Sequence, residues 1–144
     1  MLGKTIAVFA AVLVLGGSSY LAFGNEKDKK SLQGTWNGSA GDKKAQMTID
    51  GDKFTFMFGD STASGTMKID ASKTPKQIDL AVTKGSDDHT KKYEGKTSKG
   101  IFEFDGNKLK WCANEPGMDA RPDAFPKSGD DKKFLYITFE RAKK

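Results

Sequence analysis

The stretch that decides the fold is Ala45-Gln-Met-Thr-Ile-Asp-Gly-Asp-Lys-Phe-Thr-Phe-Met-Phe58. Apolar and polar residues alternate on both sides of Asp50-Gly51, which is the period of a half-buried β-strand. A glycine such as Gly51 accepts the positive φ of a tight turn, so the two runs predict a β-hairpin. Phe54, Phe56 and Phe58 fall in period-two register, which predicts that their rings share one face of a sheet.

The same pattern of short strands and turns continues to the end of the chain. Strands are predicted at Gly65–Asp70 and Gln77–Thr83, and a second hairpin turns at Asp105-Gly106. The last strand, Lys133–Arg141, is apolar on both faces, as expected for a strand that closes a barrel. About eight strands follow Ser31, which predicts an all-β fold: a small antiparallel up-and-down barrel, or a two-sheet sandwich.

Two polar stretches interrupt the strands. Residues 84–98 are rich in Gly, Ser, Asp and Lys, and we expect at most a short strand around Tyr93. Residues 114–131 contain three of the four prolines, which predicts a long loop.

Residues 1–24 differ in composition from the rest. They hold one charged side chain, Lys4, followed by an apolar run that ends in a Gly-Gly-Ser-Ser break. The small residues Ala22 and Gly24 suit a signal-peptidase site, which predicts cleavage before Asn25 and an extracytoplasmic location, periplasmic or secreted. An uncleaved membrane anchor is the alternative, because the uncharged stretch is long enough to cross a bilayer. Residues 25–30 then form a charged spacer, and residues 31–144 form the β domain.

Composition argues against a nucleic-acid partner and against stabilisation by disulfide bonds. The net charge is +5, but arginine occurs only at positions 121 and 141, and lysine and aspartate are mixed along the chain. Nucleic-acid readers cluster arginine and aromatic residues on one face, so a nucleic-acid partner is not expected. A single cysteine rules out an internal disulfide, so the core alone must stabilise the domain.

Several short blocks stand out along the β domain. They are Leu32-Gln-Gly-Thr-Trp36, Lys73-Thr-Pro-Lys-Gln-Ile-Asp-Leu80, Gly95-Lys96, Gly100-Ile-Phe-Glu-Phe-Asp-Gly106, Leu109-Lys-Trp-Cys112 and Arg121-Pro122. In this order they resemble the lipocalin-like domain of unknown function that recurs in many exported planctomycete proteins. The resemblance spans about residues 31–141 and implies a small exported β-barrel. It implies no activity and no cofactor, because the family has none assigned.

Wider similarity to lipocalins rests on Gly34-Thr-Trp36 and on Arg141 near the end of the chain. In lipocalins the corresponding tryptophan closes one end of the barrel and an arginine packs across it. The resemblance therefore implies structural roles for Gly34, Trp36 and Arg141. A guanidinium on an indole face is a cation–π contact of about 0.5–2 kcal/mol.

Four other positions have a structural and a chemical interpretation. Cys112 is a reactive or chain-linking thiol, or a small buried residue, and we favour the buried residue. His89 stands beside two aspartates, which suits a general base or a metal ligand, but a solvent-exposed loop histidine is favoured. Arg121 binds an anion or pins the long loop to backbone carbonyls, and pinning is favoured. Gly106 is interpreted as the turn glycine of the second hairpin.

The pair Glu103 and Asp105 shares one face of a strand. Paired carboxylates serve glycoside hydrolysis, but a polar outer face explains them better. Neither this pair nor His89 makes a convincing catalytic constellation, so we expect no enzyme, no metal site and no cofactor.

The inward-facing apolar residues Phe54, Phe56, Phe58, Met67 and Leu80 either fill the interior or line an apolar pocket, as eight-stranded barrels do both. Bulky rings in so short a chain favour a filled interior. The leading hypothesis is nevertheless a non-enzymatic exported domain that binds a small apolar ligand. The alternative is a structural or protein-interaction module of the cell envelope with a filled core, and a hydrolase using Glu103/Asp105 or His89 is a remote third. A membrane partner is expected only if residues 1–24 remain attached.

Overall fold

The structure, a computed structural model, describes residues 25–127 and 133–143. Within them lie eight strands: β1 (Gly34–Ala40), β2 (Lys43–Asp50), β3 (Lys53–Phe58), β4 (Ser61–Asp70), β5 (Lys76–Gly85), β6 (Thr97–Asp105), β7 (Lys108–Ala113) and β8 (Leu135–Arg141). Residues 25–32 are helical (α1), and a single helical turn, α2 (Asp88–Lys91), lies between β5 and β6. None of the helices in these described ranges has the length and apolar character needed to cross a membrane.

The strands form one closed antiparallel barrel in sequence order. Each strand pairs with the next, and β1 pairs with β8 through Trp36 opposite Arg141 and Asn37 opposite Glu140. The expected up-and-down barrel is therefore confirmed, and the two-sheet sandwich is excluded. The hairpin at Asp50-Gly51 forms as predicted, with a φ of 64° at Gly51. Gly106 has a φ of 63° in the second hairpin, as its turn role requires.

The barrel has two different ends. Because neighbouring strands are antiparallel, the β2–β3, β4–β5 and β6–β7 turns share one end with α1 and the start of β1. We call this the closed end. The β1–β2 and β3–β4 turns, α2 and the long connection after β7 lie at the other, the open end.

Trp36 fills the closed end. It is 1% exposed, and its indole Nε1 donates a hydrogen bond to the carbonyl oxygen of Leu32 at 2.8 Å. The guanidinium carbon of Arg141 lies 4.1 Å from the indole centroid, which confirms the expected stacking. The same guanidinium donates to the carbonyl oxygens of Ser31 and Gln33, each at 2.7 Å. Gly34 adjoins it, and a Cβ there would lie 3.1 Å from Arg141 Nη1.

Helix α1 covers this end, and it occupies the residues that the sequence suggested were a charged spacer. Asp28 is only 7% exposed, and Lys76 Nζ lies 2.7 Å from its Oδ2 atom. The Oδ2 atom has no hydrogen-bond partner among the described residues, so this ion pair is its compensating contact. The Asn25 side-chain oxygen accepts the amide of Ala71 at 2.8 Å. Residues 25–32 are thus held to turns distant in the sequence, which the alternating pattern does not reveal.

The connection after β7 packs against the outside of the barrel. Register places Ile101, Cys112 and Tyr136 side by side on the outer face of β6, β7 and β8, yet Ile101 and Cys112 are 1% and 0% exposed. Pro122 is also fully buried, and the Phe125 ring lies 5.8 Å from the Tyr136 ring. The connection therefore covers a small second core, and the interpretation of Cys112 as a buried residue is confirmed.

Arg121 anchors this connection. Its Nη1 atom donates to the carbonyl oxygen of Gly100 at 2.9 Å and lies 2.7 Å from Asp79 Oδ1. The favoured pinning role is confirmed, with an ion pair to β5 in addition to the carbonyl contact. Helix α2 and the turn after it, which contains Tyr93, replace the short strand expected there, and the last strand begins at Leu135 instead of Lys133.

Candidate functional site: a cavity at the open end

A cavity of about 560 Å³ occupies the open half of the barrel. Its volume falls within the range of about 300–1,000 Å³ that is usual for small-ligand pockets. Its deeper wall is apolar and is formed by Phe54, Phe56, Leu80, Val82, Trp111 and Ala113. At its mouth, towards the open end, the lining is mixed. Its polar members are Lys43, Ser61, His89, Thr90, Tyr93, Asn114, Glu115 and Lys133, and its apolar members are Phe58, Pro116, Phe134 and Leu135.

Most of the predicted lining residues lie in this wall. Phe54, Phe56, Phe58 and Leu80 all line the cavity. Met67 does not. It is 3% exposed and belongs to the packed core, opposite Leu80 in the β4–β5 register. The interior is therefore filled at the closed end and open at the other. The sequence predicted either a filled interior or a lined pocket, and the barrel has both.

Small residues leave this space. Ala45 faces Phe58 across β2 and β3, and Ala63 faces Phe56 across β3 and β4. Ala63 also lines the cavity. In the closed half, the corresponding inward positions hold large side chains such as Trp36, Phe102 and Phe139. Alanines at inward positions near one end of several strands indicate an unfilled space at that end. This signal is present in the sequence, but Ala63, Val82 and Trp111 were not predicted as cavity-lining residues.

The apolar wall contains a row of aromatic rings. The Phe56 and Phe58 rings stack with centroids 5.9 Å apart, and the Trp111 centroid lies 5.3 Å from that of Phe56. Trp111 is 4% exposed, and its indole N–H has no hydrogen-bond partner among the described residues. A buried donor without an acceptor carries a desolvation cost of about 1–3 kcal/mol, which is relieved when an acceptor reaches it.

Helix α2 shapes one side of the mouth and is fixed there by Asp87. The Asp87 carboxylate accepts hydrogen bonds from the Ser61 hydroxyl at 2.7 Å and from the amide and hydroxyl of Thr90 at 2.9 and 2.7 Å. These bonds lower the pKa of Asp87 to about 2. Gly85 permits the close approach, because a Cβ there would lie 2.4 Å from the carbonyl carbon of Thr90.

Tyr93 connects α2 to the connection after β7. Its hydroxyl donates to Glu115 Oε2 at 2.9 Å, and burial, together with this bond, raises the pKa of Tyr93 to about 12. The His89 ring meets Tyr93 edge-on, 5.9 Å between centroids. His89 therefore lies at the mouth beside an aromatic ring, while Asp87, one of its two neighbouring aspartates, caps α2.

The proposed carboxylate pair lies elsewhere. Lys110 Nζ is 3.7 Å from Glu103 Oε2 and 4.0 Å from Asp105 Oδ2, on the outer face of the barrel. From Thr97 at the open end to Glu103 is six residues of β6, or about 20 Å at roughly 3.3 Å per residue. His89 and this pair therefore do not share a site. No group of three metal-ligating side chains occurs within residues 25–127 and 133–143.

Comparisons with known proteins add no further assignment. A scan against family models finds no match, and searches of the curated proteins and of the solved structures find none either.

Proposed function

We propose that this chain is an exported, non-enzymatic β-barrel that binds a small apolar ligand in the cavity at its open end. The observation that carries the proposal is the cavity itself: about 560 Å³, with an apolar wall and several polar side chains at its mouth. Burial of apolar ligand surface against such a wall drives binding at about 25 cal/mol per Å². Membership of the planctomycete lipocalin-like family and export by residues 1–24 belong to the same proposal, and they rest on the sequence blocks and on the apolar leader.

A structural or protein-interaction role with a filled core is the competing proposal. The cavity weighs against the filled core, because inward alanines leave it where larger residues would close it. The hydrolase alternative has weaker support, because His89 and the Glu103/Asp105 pair occupy different ends of the barrel and the pair contacts Lys110.

Two measurements test ligand binding. Native mass spectrometry of protein purified from its source should show a retained mass, and it also reports the cleavage point and the oligomeric state. Titration with the neutral fluorescent probe N-phenyl-1-naphthylamine should give saturable binding to the purified protein.

Matched variants locate the binding. Ala63→Trp places an indole in the cavity and should abolish probe binding, while Ala63→Leu should weaken it. Met57→Trp introduces the same side chain at an outward, 42% exposed position of β3 and should leave binding unchanged. If Ala63→Trp folds cooperatively and still binds the probe as tightly as wild type, the cavity is not the site and the proposal fails.

A further inference from the structure

The mouth of the cavity carries an imbalance of charge that indicates the class of ligand. Among the described residues that line it, Lys43 and Lys133 are basic and Glu115 is acidic. The Glu115 carboxylate already accepts the Tyr93 hydroxyl. Among its described side chains the lining thus holds one more cation than anion.

Lys43 is the better defined of the two cations. It begins β2, two residues before the inward Ala45, so its side chain is on the inward face and lines the cavity. Its Nζ atom lies 5.6 Å from the centroid of the Phe58 ring, at the outer end of the aromatic row. No carboxylate lies within ion-pair distance of Lys43 in the part of the chain that the structure describes.

The spacing of Phe54 and Phe58 along β3 gives the length of the apolar wall. Phe54 and Phe58 are four residues apart on β3, which corresponds to roughly 13 Å along a strand at about 3.3 Å per residue. A zigzag carbon chain advances roughly 1.25 Å per carbon, so about ten carbons match this length. An anionic group at the end of such a chain would lie at the level of Phe58 and therefore within reach of Lys43.

We propose that the cavity binds a single-chain amphiphile of about ten carbons whose anionic head group pairs with Lys43 at the mouth, while its chain lies along Phe54, Phe56 and Trp111. This inference rests on the proposed ligand-binding function and specifies its ligand class. The head group is a carboxylate, a sulfate or a phosphate, since each presents acceptor oxygens to an ammonium.

Calorimetric titration of the delipidated protein with decanoate, decyl phosphate, decanol and decyltrimethylammonium tests the head group. We expect the two anions to bind more tightly than the alcohol and the cation, and their ratio identifies the preferred anion. A chain-length series from hexanoate to tetradecanoate should gain roughly fourfold in affinity per carbon, as burial of a methylene predicts, and level off near ten to twelve carbons.

Lys43→Met removes the charge and keeps most of the stem. It should weaken decanoate binding about two- to fivefold, the range expected for one solvent-accessible ion pair, and leave decanol binding unchanged. Lys44→Met is the matched control, because Lys44 is the next residue of β2, is exposed and points outward. It should alter neither ligand.

The outcomes separate the two proposals. If decanol and decyltrimethylammonium bind as tightly as decanoate, the anionic head group is wrong while the apolar site stands. If Lys43→Met leaves decanoate binding unchanged, the pairing with Lys43 is wrong. If none of the four compounds binds, the ligand-binding function fails with it. An affinity that still rises about fourfold per carbon between dodecanoate and tetradecanoate overturns the length derived from the Phe54–Phe58 spacing.

Discussion

Arg141 should stabilise the whole barrel, because its guanidinium joins the last strand to the residues that precede the first. Arg141→Met removes the stacking on Trp36 and the two hydrogen bonds to the carbonyl oxygens of Ser31 and Gln33. For an exposed guanidinium the stacking contributes about 0.5–1 kcal/mol. Each hydrogen bond contributes about 1 kcal/mol in a solvent-accessible setting. We therefore expect the free energy of unfolding to fall by about 2–3 kcal/mol.

Urea denaturation followed by circular dichroism measures this loss. For a domain of this size it corresponds to a fall in Tm of roughly 8–12 °C. Arg141→Lys keeps the charge but not the planar fork, so it should lose about 1 kcal/mol. Lys143→Met removes an exposed positive charge two residues further on and should change stability by less than about 0.5 kcal/mol.

Amide exchange shows whether the effect is at the strand closure. The amide of Ala142 donates to the carbonyl oxygen of Thr35 at 2.8 Å, and in Arg141→Met it should exchange faster than amides in the β2–β3 hairpin. If Arg141→Met were as stable as wild type, or if lysine replaced arginine without loss, the guanidinium contacts would not hold the closed end and the reasoning would be refuted.

Two further predictions concern the outer loop and the mouth. The buried Cys112 thiol should resist a thiol reagent in the native protein. Arg121→Met should speed its labelling at least tenfold, because the loop that covers Cys112 loses its anchor, while the free energy of unfolding falls by less than about 1–2 kcal/mol. Labelling at the wild-type rate would contradict the anchoring role. The lowered pKa of Asp87 means that its contribution to stability is present above pH 4 and is lost as the pH falls from about 4 towards about 2, where the carboxylate becomes protonated. Urea titrations across this range should show a smaller loss of stability in Asp87→Asn than in wild type, and identical slopes would argue against the cap.

The strands and hairpins were accessible from the sequence because their signals are local. Alternation with a period of two defines the inward face of each strand, and the Asp-Gly pairs before Asp52 and Asn107 define the turns. Phe54, Phe56 and Leu80 could be assigned to the interior in this way. The stacking of Arg141 on Trp36 came from the resemblance to lipocalins, since neither residue type by itself indicates its partner 105 positions away.

Helix α1 shows what the local signals miss. Its first six residues, Asn-Glu-Lys-Asp-Lys-Lys, are charged, and they suggested a spacer. Asp28, however, meets Lys76, and Asn25 meets the amide of Ala71, so the partners that hold the helix come from the β4–β5 turn and the start of β5. No pattern within residues 25–32 indicates these contacts.

The sequence by itself determined that this chain is an all-β domain of about eight strands and, for the strands whose residues alternate, which side chains face inward. Only the tertiary structure decided that the interior is filled at one end and open at the other, that Trp111 lines the cavity whereas Met67 does not, and that Lys43 lies at the mouth. The physical reason is that the direction of a side chain depends on its own strand, whereas the space left inside depends on side chains from all eight strands meeting after the barrel closes.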